Sequence, residues 1–252
     1  MLDTTKILHN TSDIAVETGK IIRDFYYGEI TISTKSSHHD LVTNADQAAE
    51  SHIIQRLKEL YPEHNILCEE SAIDLTINPE VPTWIVDPLD GTTNFSHKIP
   101  HFSVSIGLYL QNQGLVAVVY DPMRNELYTA SDQEITKLNG KPISVSQTKD
   151  LDKAVLATGF PYDRNSPEWT TTQDRLTKLH KITRGIRRFG SAALDLAYVA
   201  AGRYDGFFEY SLKPWDIAAG KLLVLQAGGS IKETTNPIFI QADNNKLNWA
   251  QN

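Results

Sequence analysis

The chain is nearly devoid of cysteine, with Cys68 alone among 252 residues. One thiol cannot close an intramolecular disulfide, so a reducing cytoplasm is the expected setting. No stretch approaches the roughly 18 consecutive apolar residues that a membrane helix requires, so no membrane span is expected, and the acidic balance of the chain makes membrane binding a poor default. The opening MLDTTKILHNTSDIAVETGK lacks a basic segment followed by an apolar run and does not read as a secretory signal. Positive charge is also scarce: 24 Lys and Arg stand against 31 Asp and Glu, a net charge of −7. That balance argues against direct nucleic-acid binding, because nothing offsets repulsion from phosphate. No internal repeat, low-complexity tract or linker interrupts the chain. Hydrophobic residues at 40% and charged residues at 22% describe an ordinary globular composition, long enough for a large core.

Apolar residues from Ile7 to Phe25 recur at helical spacing, and Gly28 reads as the stop. ITISTK at 30–35 alternates like a strand, Asn44 to Leu60 reads as a second amphipathic helix, and NILCEE at 65–70 reads as a short strand running into acids. TWIV at 83–86 is a buried strand expected to end abruptly in DPLDG. FSVSIGLYL, GLVAVVYDP and NELYTA, separated by turn residues, predict antiparallel neighbours. Beyond residue 150 the pattern changes. Strands AVLATGF, IRRFG and YDGFFEY alternate with helical runs at Pro167 to His180, Ser191 to Ala201 and Trp215 to Gln226. The expected organisation is an α+β half over 1–150 and an α/β half over 151–252.

The chemistry concentrates in WIVDPLDGTTNF. An apolar strand delivers Asp87 and Asp90 at its C-terminal end, Pro88 rigidifies the turn, and the Leu89 carbonyl is available beside them. Hard oxygen donors of this kind suit magnesium. Gly91 permits a tight turn, and Thr92 and Thr93 suit a helix start whose free N–H groups bind phosphate. Glu69 closes NILCEE, and Asp216 in KPWDIAAG sits at the expected N-cap of an apolar helix. Taken alone, DPLDG reads as a turn, Asp216 as a cap and Glu69 as a solvated acid. Their combination points to a shared site in which two metals bridged by Asp87 clamp a phosphate and activate water.

With these residues in view, the chain resembles the inositol monophosphatase family, within the wider group of lithium-sensitive, metal-dependent sugar phosphatases. The resemblance rests on Asp40-Leu41-Val42-Thr43-Asn44-Ala45-Asp46 with Glu69-Glu70-Ser71 downstream, WIVDPLDGTTNF at 84–95, KPWDIAAG at 213–220, and GSAALDLAYVAAGRYDGFFE at 190–209. It runs from the first helix to about residue 240. The fold it implies is a layered αβαβα sandwich. The function it implies is magnesium-dependent hydrolysis of a small phosphate monoester, inositol 1-phosphate foremost. Fructose-1,6-bisphosphate, NADP(H), 3′-phosphoadenosine phosphate and histidinol phosphate remain open as substrates. It further implies two or three Mg2+ ions, a homodimer, and for some bacterial relatives a second role as protein partners in transcription and ribosome maturation.

The resemblance also implies residue roles. Glu69, Asp87 and the Leu89 carbonyl would hold one metal, and Asp87, Asp90 and Asp216 a second. Glu69 and Thr92 would position water, with Asp46 polarising the Thr92 hydroxyl. Amides of Gly91 and Thr92 would hold phosphate. Gly190, Ser191, Ala192 and Glu209 would face the leaving group. Other features are ambiguous in sequence. Arg184, Arg187 and Arg188 form a basic cluster that suits a second phosphate or a nucleotide, a solvated strand edge, or a subunit interface. Trp84 and Trp215 are expected to pack beside the metal-site aspartates, Cys68 reads as structural, and His38 and His39 read as solvated loop residues. The chain ends about two dozen residues after Gly229, which leaves the closing layer open to question. Asp243-Asn244-Asn245 stands there as a remnant of the family's final turn.

Overall fold

A computed structural model of the chain describes residues 2–34, 41–71 and 78–249. Asp40, His38, His39 and the 72–77 part of the loop after Ser71 lie outside the described residues. The chain opens with α1 (Thr4–Tyr27), capped by Asp3, whose carboxylate accepts the Lys6 amide, and closed at Gly28. A small pair, β1 (Ile32–Thr34) and β2 (Leu41–Thr43), leads into α2 (Asn44–Leu60). The first large sheet then forms from β3 (Asn65–Cys68), β4 (Thr83–Asp90), β5 (Ser103–Leu110), β6 (Gln113–Asp121), β7 (Glu126–Ser131), β8 (Lys137–Leu138) and β9 (Lys141–Pro142), in that spatial order. Only β3 and β4 run parallel. The short α3 (Thr92–Ser96) follows β4.

The remaining elements are β10 (Val155–Thr158), α4 (Pro167–His180), β11 (Gly185–Arg187), α5 (Ala192–Ala200), β12 (Gly206–Tyr210), α6 (Pro214–Gln226), β13 (Ser230–Thr235) and β14 (Ile238–Asp243). Their five strands form a second sheet in the order β11-β10-β12-β14-β13, parallel through the first three and antiparallel at the β12–β14–β13 side. The closing layer left open by the sequence is thus the hairpin β13–β14, which zips onto β12. Asn244 anchors it, with its side-chain amide donating to Ser146 Oγ (2.8 Å) and to the Thr148 carbonyl (2.7 Å).

Side-chain alternation explains the stacking. On β6, Val116, Val118 and Tyr120 join Ile14, Ile22, Ile53 and Leu57 of α1 and α2, while Ala117 and Val119 join a cluster with Leu196 of α5 and Leu223 of α6. A strand covered on both faces must be apolar throughout, which accounts for the unbroken run LVAVVY. On β12, Phe207 faces α5 and α6, and Phe208 and Tyr210 pack on the far side with Leu179 of α4. The layers are therefore α1–α2, first sheet, α5–α6, second sheet, α4, the expected αβαβα sandwich.

The central helices touch closely. A Cβ at Gly220 of α6 would lie 2.5 Å from Leu196 Cβ on α5. Helix propensity alone predicts that Gly220→Ala gains about 1 kcal/mol. Overpacking predicts a loss of about 1–3 kcal/mol instead, read as a lowered urea midpoint. A raised midpoint would mean that α5 and α6 can separate freely.

Candidate active site

Glu69 follows the last residue of β3, and its amide donates to the Val86 carbonyl (3.2 Å) on the parallel neighbour β4. Two parallel strands therefore end side by side and deliver Glu69 and Asp87 to one place. Asp87 lies on the face of β4 opposite Trp84 and Val86, which are buried against α1 and α2. The strand does not stop at Val86 as its sequence suggested. It continues to Asp90 with a register shift between Asp87 and Asp90, so Pro88 and Leu89 are unpaired and both aspartates stay on the sheet. Proline removes the ladder donor, and the bulge re-aims the side chains. Asp87 Oδ1 accepts the Leu89 amide (3.0 Å) across it.

Gly91 turns the chain with φ of 100°, and a Cβ there would crowd the His101 carbonyl at 3.1 Å and Phe102 at 3.2 Å. Only glycine satisfies both conditions. Thr92, next in chain, donates from Oγ1 to Asp46 Oδ1 (2.9 Å), with the Leu89 carbonyl as a second acceptor at 3.1 Å. Asp46 performs two tasks. Its Oδ2 accepts the Thr43 amide (2.8 Å) and hydroxyl (2.5 Å) in the capping box of α2, and its other oxygen holds Thr92.

Asp90 is held from α5: its Oδ2 accepts Ser191 Oγ (2.6 Å) and the Ala193 amide (2.8 Å). Ser191 therefore anchors an aspartate as well as capping α5. Asp216 is not the N-cap of α6. Lys213 occupies that position, Pro214 the first turn, and Asp216 the third residue, where its Oδ2 accepts the Lys213 amide (2.7 Å). The proline at the first helical position shifts the cap outward.

Glu69, Asp87, Leu89, Asp90, Gly91, Thr92, Glu209 and Asp216 line one cleft, which Trp215 also borders. Trp84, by contrast, is wholly buried in the core. A contiguous cleft of about 510 Å3 carries Gly190, Ser191, Ala192 and Arg188 together with Asp90 and Glu209. Arg184 and Arg187 do not line it. Cys68 is buried, and burial pushes its thiol pKa up, consistent with an inert structural residue.

Burial raises the carboxyls of Asp87, Asp90, Asp195, Glu209 and Asp216. Asp87 stands well above the usual range, from burial and then from Glu69, Asp90 and Asp216. Asp216 is likewise well above it, from burial and then from Asp90 and Glu69. Asp90 is pushed up to about 6 by burial, with Ser191 and Ala193 restraining the rise. Glu209 is pushed up to about 8 by burial and the nearby Asp216, with Arg188 opposing. A Cβ at Gly159 would overlap the Glu209 carboxylate, so that glycine makes room for it.

Three residues escaped the sequence reading. Asp195, 1% exposed, lines the cleft with Oδ1 unpartnered, and its carboxyl is raised by burial and by Glu209. A single acid inside the apolar helix AALDLAYVA was its signal. Asn94 donates to the His101 (2.8 Å) and Phe189 (2.7 Å) carbonyls and so ties the Gly91 turn to the segment before α5. Glu50 accepts the Glu70 amide (3.0 Å) and fixes the chain at Glu69. Neither of the last two carries a sequence signal, since long-range backbone contacts are unreadable locally.

The donor set fits a hard divalent cation. All its groups are oxygens, and the Asp87 carboxyl is raised well above its usual range by burial and by the neighbouring Glu69, Asp90 and Asp216, a demand that a proton or a cation meets. Among the described residues no three acidic or histidine side chains are gathered as a closed metal cage. Asp90 and Asp216 turn instead to protein donors. Magnesium does not need such a cage, because it keeps several waters and takes one or two carboxylates.

A pH dependence follows for protein stripped of metal. A carboxyl raised in the folded state binds more protons there than in the unfolded chain, so its stabilising effect is present at acid pH and lost as pH rises through the folded value. His101, lowered to about 4 by burial, acts in the opposite sense below about pH 6.5. Between pH 6.5 and 8 the melting temperature should therefore fall, with Glu209 contributing at most about 1.4 kcal/mol per pH unit. Glu209→Gln should flatten the decline in a calorimetric titration. A melting temperature that rises across this window would contradict the buried-carboxyl account.

The chain matches the description "inositol monophosphatase family" over residues 3–245. It is 45% identical over 234 residues to a protein of Escherichia coli (strain K12) named Nus factor SuhB, covering 90% of this chain and 86% of that one. Among solved structures, the extragenic suppressor protein suhB of Bartonella henselae superposes with a TM-score of 0.87 at 37% identity, over 95% of this chain and 94% of the other. The inositol monophosphatase of Anabaena (Nostoc) sp. PCC 7120 superposes with a TM-score of 0.85 at 34% identity, over 97% and 93%. No helix among the described residues is long and apolar enough to cross a membrane. Fold, motifs and near full-length similarity agree, and the chain belongs to the inositol monophosphatase family.

Proposed function

We propose that the chain is a magnesium-dependent phosphatase acting on small phosphate monoesters, inositol 1-phosphate foremost, as a homodimer. The observation that carries this reading is the Thr92 hydroxyl, held between Asp46 and the Leu89 carbonyl beside the Glu69–Asp87 pair. Glu69, Asp87 and the Leu89 carbonyl are the proposed holders of one ion, and Asp87, Asp90 and Asp216 of a second. Bound magnesium supplies charge neutralisation and Lewis-acid activation.

The chain's own residues do the rest. Thr92 donates a hydrogen bond to Asp46 and turns a lone pair to the cleft, where with Glu69 it orients the attacking water and accepts its hydrogen bonds. Amides of Gly91 and Thr92, at the first turn of α3, face the phosphate. As the water oxygen bonds to phosphorus, the bond to the leaving oxygen breaks, and a proton from that water ends on the departing alcohol. Free alcohol and inorganic phosphate result, with no covalent enzyme intermediate. Glu209, with Gly190, Ser191 and Ala192, faces the leaving alcohol.

Phosphate release from inositol 1-phosphate should require magnesium and stop with chelator. Asp90→Asn should lower kcat by at least about 100-fold while circular dichroism stays unchanged. Glu209→Gln should raise KM for inositol 1-phosphate and leave p-nitrophenyl phosphate unaffected. Near-normal magnesium-dependent turnover by Asp90→Asn would sink the two-ion assignment.

A second reading, as a protein-binding adaptor, is favoured by the name Nus factor carried by the 45% identical relative. Asp87→Asn separates the two: a partner captured equally by this variant and the unaltered chain would support binding independent of catalysis.

A further inference from the structure

We propose that Ser105 is a positioning residue for Asp87: its hydroxyl is a donor held in reserve behind that carboxylate, which accepts from it when a divalent cation binds. The inference rests on the phosphatase reading and adds to it a residue behind the proposed metal ligands. Ser105 is wholly buried, and its Oγ has no hydrogen-bond partner among the described residues. Native folds rarely leave a hydroxyl shut away from water in this state, because the lost hydration is not replaced.

Strand register identifies what the hydroxyl faces. Ser105 of β5 stands opposite Asp87 of β4 on one side and opposite Val119 of β6 on the other. Paired residues of antiparallel strands share one face of the sheet, with Cβ atoms about 4.5–5.5 Å apart. Val119 is apolar and buried, so Asp87 is the polar cross-strand neighbour of Ser105. Along β5 the flanking positions on the same face are already engaged. Ser103 Oγ lies 3.4 Å from Ser191 Oγ, which itself donates to Asp90. At Gly107 the strand lies against α6, where a Cβ would stand 3.2 Å from that of Ala218. Since Ser103 pairs with Asp90 in the register, β5 lays one hydroxyl behind each aspartate of β4. The hydroxyl behind Asp90 belongs to a formed network, and the hydroxyl behind Asp87 does not.

An ionised carboxylate only accepts, at about four lone-pair positions on its two oxygens. A carboxylate that bridges two ions uses a position on each oxygen and leaves the others for donors behind it. On Asp87 the Leu89 amide fills one of these, at Oδ1. Ser105 fills another by turning about χ1, between the staggered wells open to a serine. Such bonds behind a ligating carboxylate fix its orientation, and their loss weakens metal binding by about 10–100-fold. The competing account is that Ser105 is simply a small residue under α6. That account makes the hydroxyl irrelevant to the ion and the volume alone important.

The test is isothermal titration of the full chain with magnesium chloride, together with thermal melts in the presence and absence of the ion. Ser105→Ala should raise the magnesium Kd about ten-fold. The metal-free variant should melt no lower than the unaltered chain, because the group removed has no partner there. Ser105→Cys, which refills the space with a poor donor, should bind magnesium as weakly as Ser105→Ala. An unchanged Kd in Ser105→Ala overturns the proposal and leaves the phosphatase reading intact. Equal lowering of the melting temperature with and without magnesium, or a Kd restored by Ser105→Cys, marks a packing role and overturns it as well. An unaltered chain that binds no magnesium is a separate outcome: it removes the metal assignment itself, and the inference with it.

Discussion

The site is organised around one electrostatic liability. Asp87 is buried with Glu69 against it and Asp90 and Asp216 close by. Bringing like charges together away from water is unfavourable unless protons or cations enter with them. No local propensity gathers four acids in this way. They converge because the fold, stabilised by apolar packing elsewhere, leaves them no other position. The raised carboxyl pKa values express the same fact: the folded chain holds an unmet demand for positive charge.

Three backbone devices impose the geometry. The parallel ends of β3 and β4 set Glu69 beside Asp87. The Pro88–Leu89 bulge keeps Asp90 on the same strand but re-aims it toward α5, where Ser191 and Ala193 receive it. Gly91, in the left-handed region, then reverses the chain so that Thr92 reaches Asp46 on α2. The first device acts within the sheet, and the other two join the α5 and α2 layers to the strand that bears Asp87. Asn94 adds a fourth tie, to the backbone before α5. Displacing any one layer would move a carboxylate, so stability of the sandwich and precision of the site are coupled.

Much of this was legible in the sequence, for identifiable reasons. Helices α2 and α4 coincide with their predicted spans because clear caps bound them, Thr43 with Asp46 and Ser166 with Pro167. The αβαβα order was supplied by resemblance, since periodicity marks a buried face without saying what buries it. The continuation of β4 past Val86 was missed because proline there reads as a stop, whereas a bulge tolerates it. Asp216 was expected at the cap but lies three positions inside it, because the cap belongs to Lys213, a residue with no capping signature. The hairpin β13–β14 was unread because its exposed strand, SIKETT, is polar and pairs on one side only. Asp195 lies inside a segment that carries the family resemblance, and an acid in an otherwise apolar helix is a legible anomaly.

The division of the cleft between the two sheets explains how one chemical centre can serve different leaving groups. In the proposed reaction the phosphate end comprises Glu69, Asp87, Asp90 and Thr92, all from the first sheet and the turn that leaves it. The proposed leaving-group end comprises Glu209 of β12, Gly159 beside it, and the loop after Gly159 that joins β10 to α4. Gly159 and Glu209 are linked as a pair, since the carboxylate occupies the space a Cβ would need. Residues beyond Gly159 carry no such constraint, because they lie on a solvent-facing connection that no sheet register fixes. Substitution there alters what the cleft recognises without disturbing the carboxylates, whereas substitution at Gly91 or Asp87 alters both. On the proposed function, selectivity in this chain resides where the fold is least demanding, and chemistry where it is most demanding.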